Sequence, residues 1–485
     1  MQKTKFLKQS FSAVLAVVLI FASFSVGSFF SASAATQRGI ITSGKYDYYS
    51  ANRQVCERLA QGIKNFDEKI DIRDYNVSAD NVASLYFATL NNYPELFYAD
   101  YRISYSHRDG TVLYIKPSYN CTKSEAEQKT AQFDARVEEL LGKLDDSMTD
   151  FQKALILHDE IILSSEYSGE VTAYDLLVDG KGCCTAYSRS YSYLLALVGI
   201  NSEIVESAEM NHAWNKIEID GEYYNVDVTW DDPTADRFGK AWHGYFLYSD
   251  SAFVSGNNGK TTVHTGFEDA LNDAASTKYD DYGLLHRIDA GYCYVNGTLY
   301  CVDNQNGSQY EKCLLKYNAS DDTAEVIHKF DAYWMAAEHS YWIGGFSSLD
   351  SYEKILYCNT DNEIYYYDVE NSTLEKYNTS ISLNGKCYGL LVKDEKVYAV
   401  IADNPNVTGE LVLAGDCIKK EPAVIKGDVD GDGKVTIFDA TLLQKNIARV
   451  VELNSNQLRA ADANGDGKIN VLDVTYIQKT VAHFT

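Results

Sequence analysis

Several classes of protein are excluded by what the sequence lacks. Basic residues are in deficit, 43 against 69 acidic ones, and the formal charge of −26 leaves no basic surface for nucleic acid phosphates. After Phe30, no apolar run is long enough to cross a bilayer. Proline is scarce, at five residues, while 38 tyrosines indicate sheet surfaces and packed loops rather than a disordered chain. We therefore expect a folded acidic protein that binds no nucleic acid.

Regular cysteine spacing is also missing. The ten cysteines include no C-x-x-C pair, so the sequence indicates neither a zinc ribbon nor a thioredoxin-type site. Most are expected to be buried as small apolar residues. Cys183 and Cys184 are adjacent, and a disulfide between them would strain the peptide that joins them. Disulfides elsewhere stay open, because exported proteins can form them.

The N-terminus has the pattern of an export signal. Lysines at positions 3, 5 and 8 precede an apolar run from Phe11 to Phe30, and small residues follow up to Ala34. A basic start, an apolar core and a small-residue cleavage site predict a secretory signal peptide over residues 1–34. A retained membrane anchor is the alternative. We expect a secreted, extracellular protein without a membrane span after cleavage.

At 485 residues, the chain is long enough for two to four domains. Residues 35–150 mix helix and strand patterns, with helices predicted over Val82–Leu90 and Ser124–Leu144, and another over Phe151–Leu163. Residues 285–420 alternate short aromatic and β-branched runs with turn residues. This predicts an all-β module, either propeller-like or a sandwich, which serves as a ligand-binding surface or as a spacer.

The last sixty residues contain a repeated calcium-binding pattern. Two stretches recur at an offset of 34 residues, with oxygen-bearing side chains at loop positions 1, 3, 5 and 12 and glycine at position 6. Position 7 supplies only a backbone carbonyl, so lysine can occupy it. The predicted ligands are Asp428, Asp430, Asp432, Lys434, Thr436 and Asp439 in the first loop and Asp462, Asn464, Asp466, Lys468, Asn470 and Asp473 in the second. We expect two Ca²⁺ ions.

Each loop differs from an EF-hand in having Asp at position 12 and in leading into one helix, predicted over Ala440–Ala448 and Val474–Val481. Two such units resemble a type I dockerin, covering residues 424–485. The resemblance implies a small α-helical module that binds a cohesin of a cellulosome scaffold. The positions that contact cohesin in this family correspond to Ile437, Phe438, Gln444, Lys445, Val471, Leu472, Gln478 and Lys479. Which cohesin is bound is left open.

The stretch GKGCCTAYS places a thiol where a helix begins. Apolar residues at helical spacing follow it, and Gly199 ends the pattern. Cys184 is therefore predicted at a helix N-terminus, where the helix dipole and free N–H groups lower a thiol's pKa and can stabilise an oxyanion. Such a nucleophile also needs a base.

A hairpin further along the chain supplies a base and its partner. Strands are predicted over His212–Ile219 and Glu222–Thr229 around an Asp-Gly turn. In that register, His212 and Asp227 share a face as diagonal neighbours, with about 7–8 Å between their backbones. A carboxylate beside a histidine fixes its tautomer and stabilises the imidazolium. Spacing thus predicts a Cys–His–Asp site.

The stretches GKGCCTAYSRSYSYLLALVGI and NHAWNKIEIDGEYYNVDVTWDDP resemble the transglutaminase-like superfamily over residues 151–275. The resemblance implies an α+β papain-like fold with Cys184, His212 and Asp227 as its catalytic residues in that order. No cofactor is expected for catalysis. Nearby aromatic and histidine side chains are expected to pack or to line the cleft, namely His158, His243, Trp214 and Trp230.

The chain is therefore expected to be multidomain: a region preceding the core, the papain-like core, the all-β module and the dockerin. Its expected function is acyl transfer from an amide of a protein or peptide through a Cys184 thioester. Hydrolysis and cross-linking are both left open, because the acceptor depends on access to the cleft. The alternatives are a non-catalytic cellulosomal component and a polysaccharide-degrading accessory protein, although no carboxylate pair indicates a glycosidase.

Overall fold

The structure is a computed structural model, and the residues that it describes are 38–44, 46–234, 236–256, 262–268, 270–337, 340–341, 345–405, 407–419 and 424–483. The predicted signal peptide lies outside these residues. The chain divides into two compact units. The first ends at residue 329 and also includes residues 406–408, and the second contains the other residues from 330 onward. None of the helices in the described ranges combines the length and apolarity that spanning a bilayer requires.

The first unit is an α+β structure. Its helices are α1 Tyr48–Ala51, α2 Arg53–Lys64, α3 Val82–Asn92, α4 Lys123–Leu141, α5 Asp150–Leu163, α6 Ala173–Leu177, α7 Cys184–Leu197, α8 Val228–Asp231 and α9 Asp250–Ser255. Its strands are β1 Ile41–Ser43, β2 Ile70–Asp71, β3 Ala99–Arg108, β4 Thr111–Tyr119, β5 Glu166–Tyr167, β6 Lys181–Gly182, β7 Ser202–Ser207, β8 His212–Ile219, β9 Glu222–Val226, β10 Phe246–Tyr248, β11 Cys293–Val295, β12 Thr298–Asp303, β13 Cys313–Asn318 and β14 Thr323–Lys329.

The helices predicted before the core form within a few residues of their expected ends. Capping boxes start two of them, because Thr122 and Thr149 each accept a hydrogen bond from a backbone N–H of the first turn. Strands β3 and β4 form a hairpin, and β2 pairs with the outer edge of β4. These strands, with α2 and α3, enclose an apolar core of their own. The region that precedes the predicted papain-like domain therefore folds as a layer of helices on a three-stranded sheet.

A five-stranded sheet and helix α7 form the centre of the first unit. The strand order is β1-β7-β8-β9-β10, with β1 parallel to β7 and the other pairs antiparallel. On one side, the Asn215 amide on β8 donates to the Ser188 carbonyl of α7 at 2.9 Å. On the other, the Tyr191 hydroxyl of α7 donates to the Ala154 carbonyl of α5 at 2.9 Å. Helix α7 is thus fixed between the sheet and α5.

The glycine two residues before Cys184 allows α7 to begin where it does. A Cβ on Gly182 would lie 2.7 Å from the Cβ of Ala186 and 2.8 Å from Cδ1 of Leu176. Real side chains do not approach so closely, so a larger residue would displace the start of α7 from α6.

The first part of the predicted all-β module belongs to the first unit. Strands β11–β14 form a four-stranded antiparallel meander. Leu299, Leu315 and Tyr317 from this sheet lie in the same apolar core as Phe151 and Tyr279. The boundary between the compact units therefore falls at residue 330, whereas the sequence placed a domain boundary near residue 285. The change in sequence pattern near residue 285 therefore marks the start of the β11–β14 meander within the first unit.

The second unit contains further meanders and the C-terminal helices. Its strands are β15 Met335–Ala337, β16 Ser340–Tyr341, β17 Leu349–Tyr352, β18 Ile355–Asn359, β19 Ile364–Asp368, β20 Thr373–Lys376, β21 Cys387–Lys393, β22 Lys396–Ile401 and β23 Glu410–Asp416, and its helices are α10 Ile437–Ile447, α11 Ser455–Ala461 and α12 Val471–Val481. The strands form separate two-, four- and three-stranded antiparallel sheets. Whether they make a propeller or a sandwich stays a prediction.

All ten cysteines lie in the described residues and are free thiols. Seven are buried, as expected for small apolar side chains, and the remaining three, Cys121, Cys183 and Cys184, are partly exposed.

A buried ionic network joins α5, α8 and the loop before β10. His158 places Nδ1 2.8 Å from Asp159 Oδ1 and Nε2 3.2 Å from Asp231 Oδ2. His243 places Nε2 2.8 Å from the same Asp159 oxygen. The second Asp159 oxygen accepts the Tyr292 backbone N–H at 2.7 Å. His158 and His243, which the sequence placed in the core or the cleft, are therefore wholly buried partners of carboxylates.

His158 is held in its charged form by this network. Burial alone would lower its pKa, but the hydrogen bonds to Asp159 and Asp231 outweigh burial and raise the pKa to about 9. Each ring nitrogen faces a carboxylate oxygen, which only accepts, so both nitrogens must carry a proton.

We predict that His158→Gln destabilises the first unit by about 3–5 kcal/mol, because it leaves buried carboxylates without their cation. The folded pKa of His158 lies above the unfolded value of about 6.5. Its contribution to stability is therefore complete below about pH 6.5 and is lost as pH rises through about 9. Urea unfolding of the full chain between pH 6 and 9.5 should show this loss in the wild type and a flatter dependence in the variant.

The matched control is His107→Gln, which removes an exposed histidine of β3. Its unfolding free energy should follow the wild type at every pH. Equal stability of His158→Gln and the wild type at pH 6 would contradict the buried imidazolium.

Candidate active site

Two adjacent thiols stand at the start of α7. Cys183 is the N-cap, in an extended conformation, and Cys184 is the first helical residue. The Cys183 N–H donates to the Glu170 carbonyl at 2.7 Å, which fixes the chain just before the helix. The sequence predicted this position for Cys184, and the helix does begin there.

His212 and Asp227 are directly hydrogen-bonded. His212 is the first residue of β8, and its Nε2 lies 2.6 Å from Asp227 Oδ2. The hairpin has the predicted register, with Ile219 opposite Glu222. The Asp227 carboxylate therefore occupies the Nε2 atom of the ring with a hydrogen bond, and Nδ1 is the nitrogen available to a thiol.

The second strand of this hairpin ends earlier than predicted. The sequence extended it to Thr229, but β9 ends at Val226, and Asp227 caps the short helix α8 instead. Asp227 Oδ1 accepts the Trp230 backbone N–H at 3.1 Å. His212 and Asp227 do meet, but the prediction that they meet as diagonal neighbours on two paired strands is wrong. Asp227 instead reaches the histidine from the N-terminus of a helix.

Asp227 is ionised in this setting. Burial opposes its ionisation, but the hydrogen bonds and charges of His212 and His264 outweigh burial, so the pKa of Asp227 lies below its ordinary value. The His212 ring is held from its faces as well. Trp230 stacks on it at a centroid distance of 4.7 Å and Trp214 lies nearly parallel at 5.9 Å. Both tryptophans, which the sequence expected to pack or line the cleft, orient the imidazole.

The two thiols titrate as a pair. Interaction with Cys184, aided by the N–H groups of Ala186 and Thr185, lowers the pKa of Cys183 to about 5. The same interaction and burial raise the pKa of Cys184, although the N–H of Ala213 acts in the opposite direction. These shifts belong to the pair and not to either residue, because whichever sulfur keeps its proton donates to the other. One thiolate therefore forms below the usual range for a thiol, on Cys183 or on Cys184, and the second proton leaves above that range.

The positions of the two sulfurs differ with respect to the histidine. Both sulfurs face the N–H of Thr185, but the Cys184 sulfur also faces the N–H of Ala213, the residue after His212, whereas the Cys183 sulfur also faces the N–H of Ala186. Within the described ranges, no hydrogen bond links Cys184 directly to His212. Catalytic hydrogen bonds commonly tighten only when substrate is bound. This geometry favours Cys184 as the thiol on the histidine's side.

His264 is a site residue that the sequence did not reveal. Its Nε2 lies 3.2 Å from Asp227 Oδ2, the oxygen that also bonds His212. It comes 37 residues after Asp227 in an irregular segment, so neither strand register nor helical spacing relates the two positions. Only the tertiary fold brings them together.

The first predicted calcium loop has the shape of a cation site. Carboxylate oxygens of Asp428, Asp430 and Asp432 lie within 4.8 Å of one another. Asp439 is buried and accepts the N–H groups of Asp430 and Thr436 at 2.9 and 2.7 Å. These hard oxygen donors suit Ca²⁺.

The second loop repeats these contacts. Asp473 accepts the N–H groups of Asn464 and Asn470 at 3.2 and 2.9 Å. Gly433 and Gly467 adopt φ angles of +84° and +79°, which the turn at loop position 6 requires. The two helices begin three residues earlier than predicted, and α11 precedes the second loop. The first loop therefore brings its carboxylates together as a cation site requires, and the second repeats the backbone contacts of its last aspartate.

The residues expected to contact cohesin are all exposed. Phe438 and Val471 are 72% and 64% exposed although they are apolar, and they lie at the starts of α10 and α12. Ile437 and Leu472 are also exposed, as are the polar residues Gln444, Lys445, Gln478 and Lys479. The module's own core lies on the opposite faces of these helices.

Two family models match parts of the chain. Residues 138–228 match the transglutaminase-like superfamily, and residues 426–482 match the dockerin type I domain. The chain therefore combines a transglutaminase-like core, whose matched span includes Cys184, His212 and Asp227, with a C-terminal type I dockerin. Such a dockerin implies a cohesin partner and association with a cellulosome, and domains of this type generally bind calcium.

Similarity to other proteins is low. No curated protein matches the chain. A solved structure described as a TGase is 12% identical over 26% of this chain and 44% of its own, with a TM-score of 0.20. A candidate cysteine protease from Cytophaga hutchinsonii is 14% identical over 28% of this chain and 63% of its own, with a TM-score of 0.17. Both alignments cover less than two thirds of the solved chain, and neither bears on function.

We predict that iodoacetamide near neutral pH labels Cys184 much faster than Cys183, because the Cys184 sulfur faces the N–H of Ala213, the residue next to His212. Fragment mass spectrometry of the full chain separates the two adjacent positions. The buried Cys56, whose pKa burial raises to about 11, is an internal control that should remain unlabelled on this timescale. Preferential labelling of Cys183 would transfer the role of nucleophile to that residue.

Proposed function

We propose that the protein is an exported, cohesin-bound cysteine enzyme that transfers acyl groups from amides of proteins or peptides. The observation that carries this proposal is the 2.6 Å hydrogen bond between His212 and Asp227 beside a thiol at a helix N-terminus. Nucleophile, base and orienting carboxylate are the three groups that thiol acyl transfer needs.

The first half of the reaction forms a thioester. His212 takes the proton of the Cys184 thiol through Nδ1, and the thiolate attacks the amide carbon. The N-terminus of α7, the positive end of the helix dipole, stabilises the oxyanion. His212 then protonates the leaving amine as the C–N bond breaks, and Asp227 stabilises the imidazolium throughout.

The second half depends on the acceptor. Water attacks the thioester and gives peptidase or amidase activity, whereas a lysine amine gives a cross-link. In both cases, His212 takes the acceptor's proton and Cys184 leaves as the thiolate. Plant cell-wall protein, bacterial cell-wall peptide and the subunits of the assembly itself are the candidate substrates.

The dockerin determines where this chemistry occurs. Two Ca²⁺ ions hold the loops that position α10 and α12, and the exposed apolar pairs at the helix starts bind cohesin. The export signal predicted over residues 1–34 takes the protein to the extracellular side. A non-catalytic cellulosomal component is the alternative, and it predicts a thiol of ordinary reactivity at Cys184.

We predict that the wild type, incubated with a mixture of tryptic peptides and a biotin-labelled primary amine, yields cleaved or amine-conjugated peptides detectable by mass spectrometry. Cys184→Ser should abolish both products. Asp227→Asn should lower turnover about 10⁴-fold, because His212 would adopt the wrong tautomer. The matched control is Cys121→Ser, which removes another partly exposed thiol of the first unit and should leave turnover unchanged. Undiminished turnover in Cys184→Ser would sink the proposal.

We also predict that the dockerin binds two Ca²⁺ ions, gains helix on binding them and binds cohesin only when they are bound, because crowded carboxylates repel one another without the ion. The first loop has four carboxylates and the second has three, since Asn464 stands where the first has Asp430. The second site should therefore be weaker at low salt. The chemistry at Cys184 should not depend on calcium.

Matched substitutions test this difference by calorimetry on the full chain and on residues 424–485. Asp430→Asn should weaken the tighter site and Asn464→Asp should strengthen the weaker one, each by roughly tenfold. Asp394→Asn, in the turn between β21 and β22, is the control. A stoichiometry other than two, or full helicity in EDTA, would contradict the prediction.

A further inference from the structure

A second histidine shares the carboxylate of the candidate triad. Asp227 Oδ2 lies 2.6 Å from Nε2 of His212 and 3.2 Å from Nε2 of His264. The other His264 nitrogen, Nδ1, lies 3.0 Å from the Thr262 carbonyl oxygen. The side chain of His264 is wholly buried, so its ring is not solvated.

The hydrogen-bond partners fix the protons of His264. A carboxylate and a carbonyl oxygen only accept, so each ring nitrogen must donate. Both bonds therefore form together only when the ring is an imidazolium. A neutral ring would leave one buried acceptor facing a lone pair, which is unfavourable because the His264 side chain is wholly buried.

The ring of His264 cannot turn away from this position. Phe253 stacks on it at a centroid distance of 4.1 Å, and Trp230 and Trp214 contact it at 4.5 and 4.9 Å. Among the described residues, the ionisable side chains that face it are Asp227 through the hydrogen bond, His212 at 6.2 Å and Tyr245 at 5.9 Å between ring centroids. The Tyr245 hydroxyl is bonded to Thr262, the residue whose carbonyl accepts from His264.

We propose that His264 is a positioning residue of the proposed acyl-transfer site, which holds Asp227 against His212 and supplies a second positive charge beside the reactive ion pair. This inference rests on the proposed function. With the Cys184 thiolate and the His212 imidazolium formed, the Asp227 carboxylate and the His264 imidazolium bring the total charge of the four groups to zero. A low-dielectric site disfavours an unbalanced charge, so His264 stabilises the thiolate that Cys184 needs for attack.

Two substitutions separate the hydrogen bond from the charge. His264→Gln keeps an N–H donor near the Nε2 position but is neutral, whereas His264→Leu removes both. The measurement is the rate of Cys184 alkylation by iodoacetamide between pH 4 and 10, on the full chain, with the modified residue mapped by mass spectrometry. The control is His107→Gln, which changes an exposed histidine of β3.

In the wild type, we expect the rate of Cys184 alkylation to rise at a lower pH than it does for an ordinary thiol; this rise is the limb of the pH profile. His264→Gln should move this limb to higher pH by about one pH unit, because the thiolate loses a nearby positive charge. His264→Leu should also lower the alkylation rate at pH 6 by about 10- to 100-fold, since Asp227 loses a partner that orients it. The profile of His107→Gln should match the wild type.

The outcomes distinguish this inference from the proposed function. If wild-type Cys184 shows the profile of an ordinary thiol, the proposed function fails and His264 has no ion pair to support. If the wild-type alkylation rate rises at low pH and both His264 variants show the same profile, the site is active and the role of His264 is refuted. A purely structural role would lower the thermal midpoint without moving the limb, and this result also refutes the proposal. Should His264→Leu fail to fold, His264→Gln alone decides.

Discussion

A buried carboxylate needs several donors, and at Asp227 this requirement organises the candidate site. One oxygen takes the backbone N–H that starts α8, and the other takes His212 and His264. Each of these partners comes from a different segment, so the carboxylate ties together a strand, a helix start and an irregular loop. Because a charge removed from water is costly unless it is paired, these segments are strongly constrained to meet in this way.

Helix α8 is a single turn that carries a buried aspartate at each end. Asp227 precedes it and Asp231 completes it, and the two carboxylates belong to separate histidine networks. An isolated turn of this length has no stability of its own, because nucleation costs more than one turn recovers. Tertiary contacts at both ends therefore hold it. The geometry of the candidate site and the stability of the core thus depend on the same four residues of backbone.

The sequence predicted the local features and missed those that depend on tertiary contacts. Helical spacing after Gly182 correctly placed Cys184 at a helix start, and the Asp-Gly turn correctly fixed the register of the hairpin that begins at His212. The end of β9 was missed because Asp227 is compatible with both a strand and a helix cap, and buried donors decide between them. His264 was missed because no periodicity relates a residue in an irregular segment to a distant carboxylate. The dockerin was predictable because the residues expected to bind each calcium ion lie within twelve residues of one another.

The apolar core that β11–β14 share with α5 sets the smallest fragment of the first unit that keeps this core intact. The backbone N–H of Tyr292 completes the hydrogen bonding of Asp159, and Leu299 and Leu315 pack with the residues around α5. A recombination junction near residue 285 would expose an apolar surface and leave a buried carboxylate short of a donor. A junction near residue 330 cuts neither contact. The first unit is therefore expected to keep its apolar core only when it is transferred as a block that includes its first meander, whereas the dockerin has an apolar core of its own.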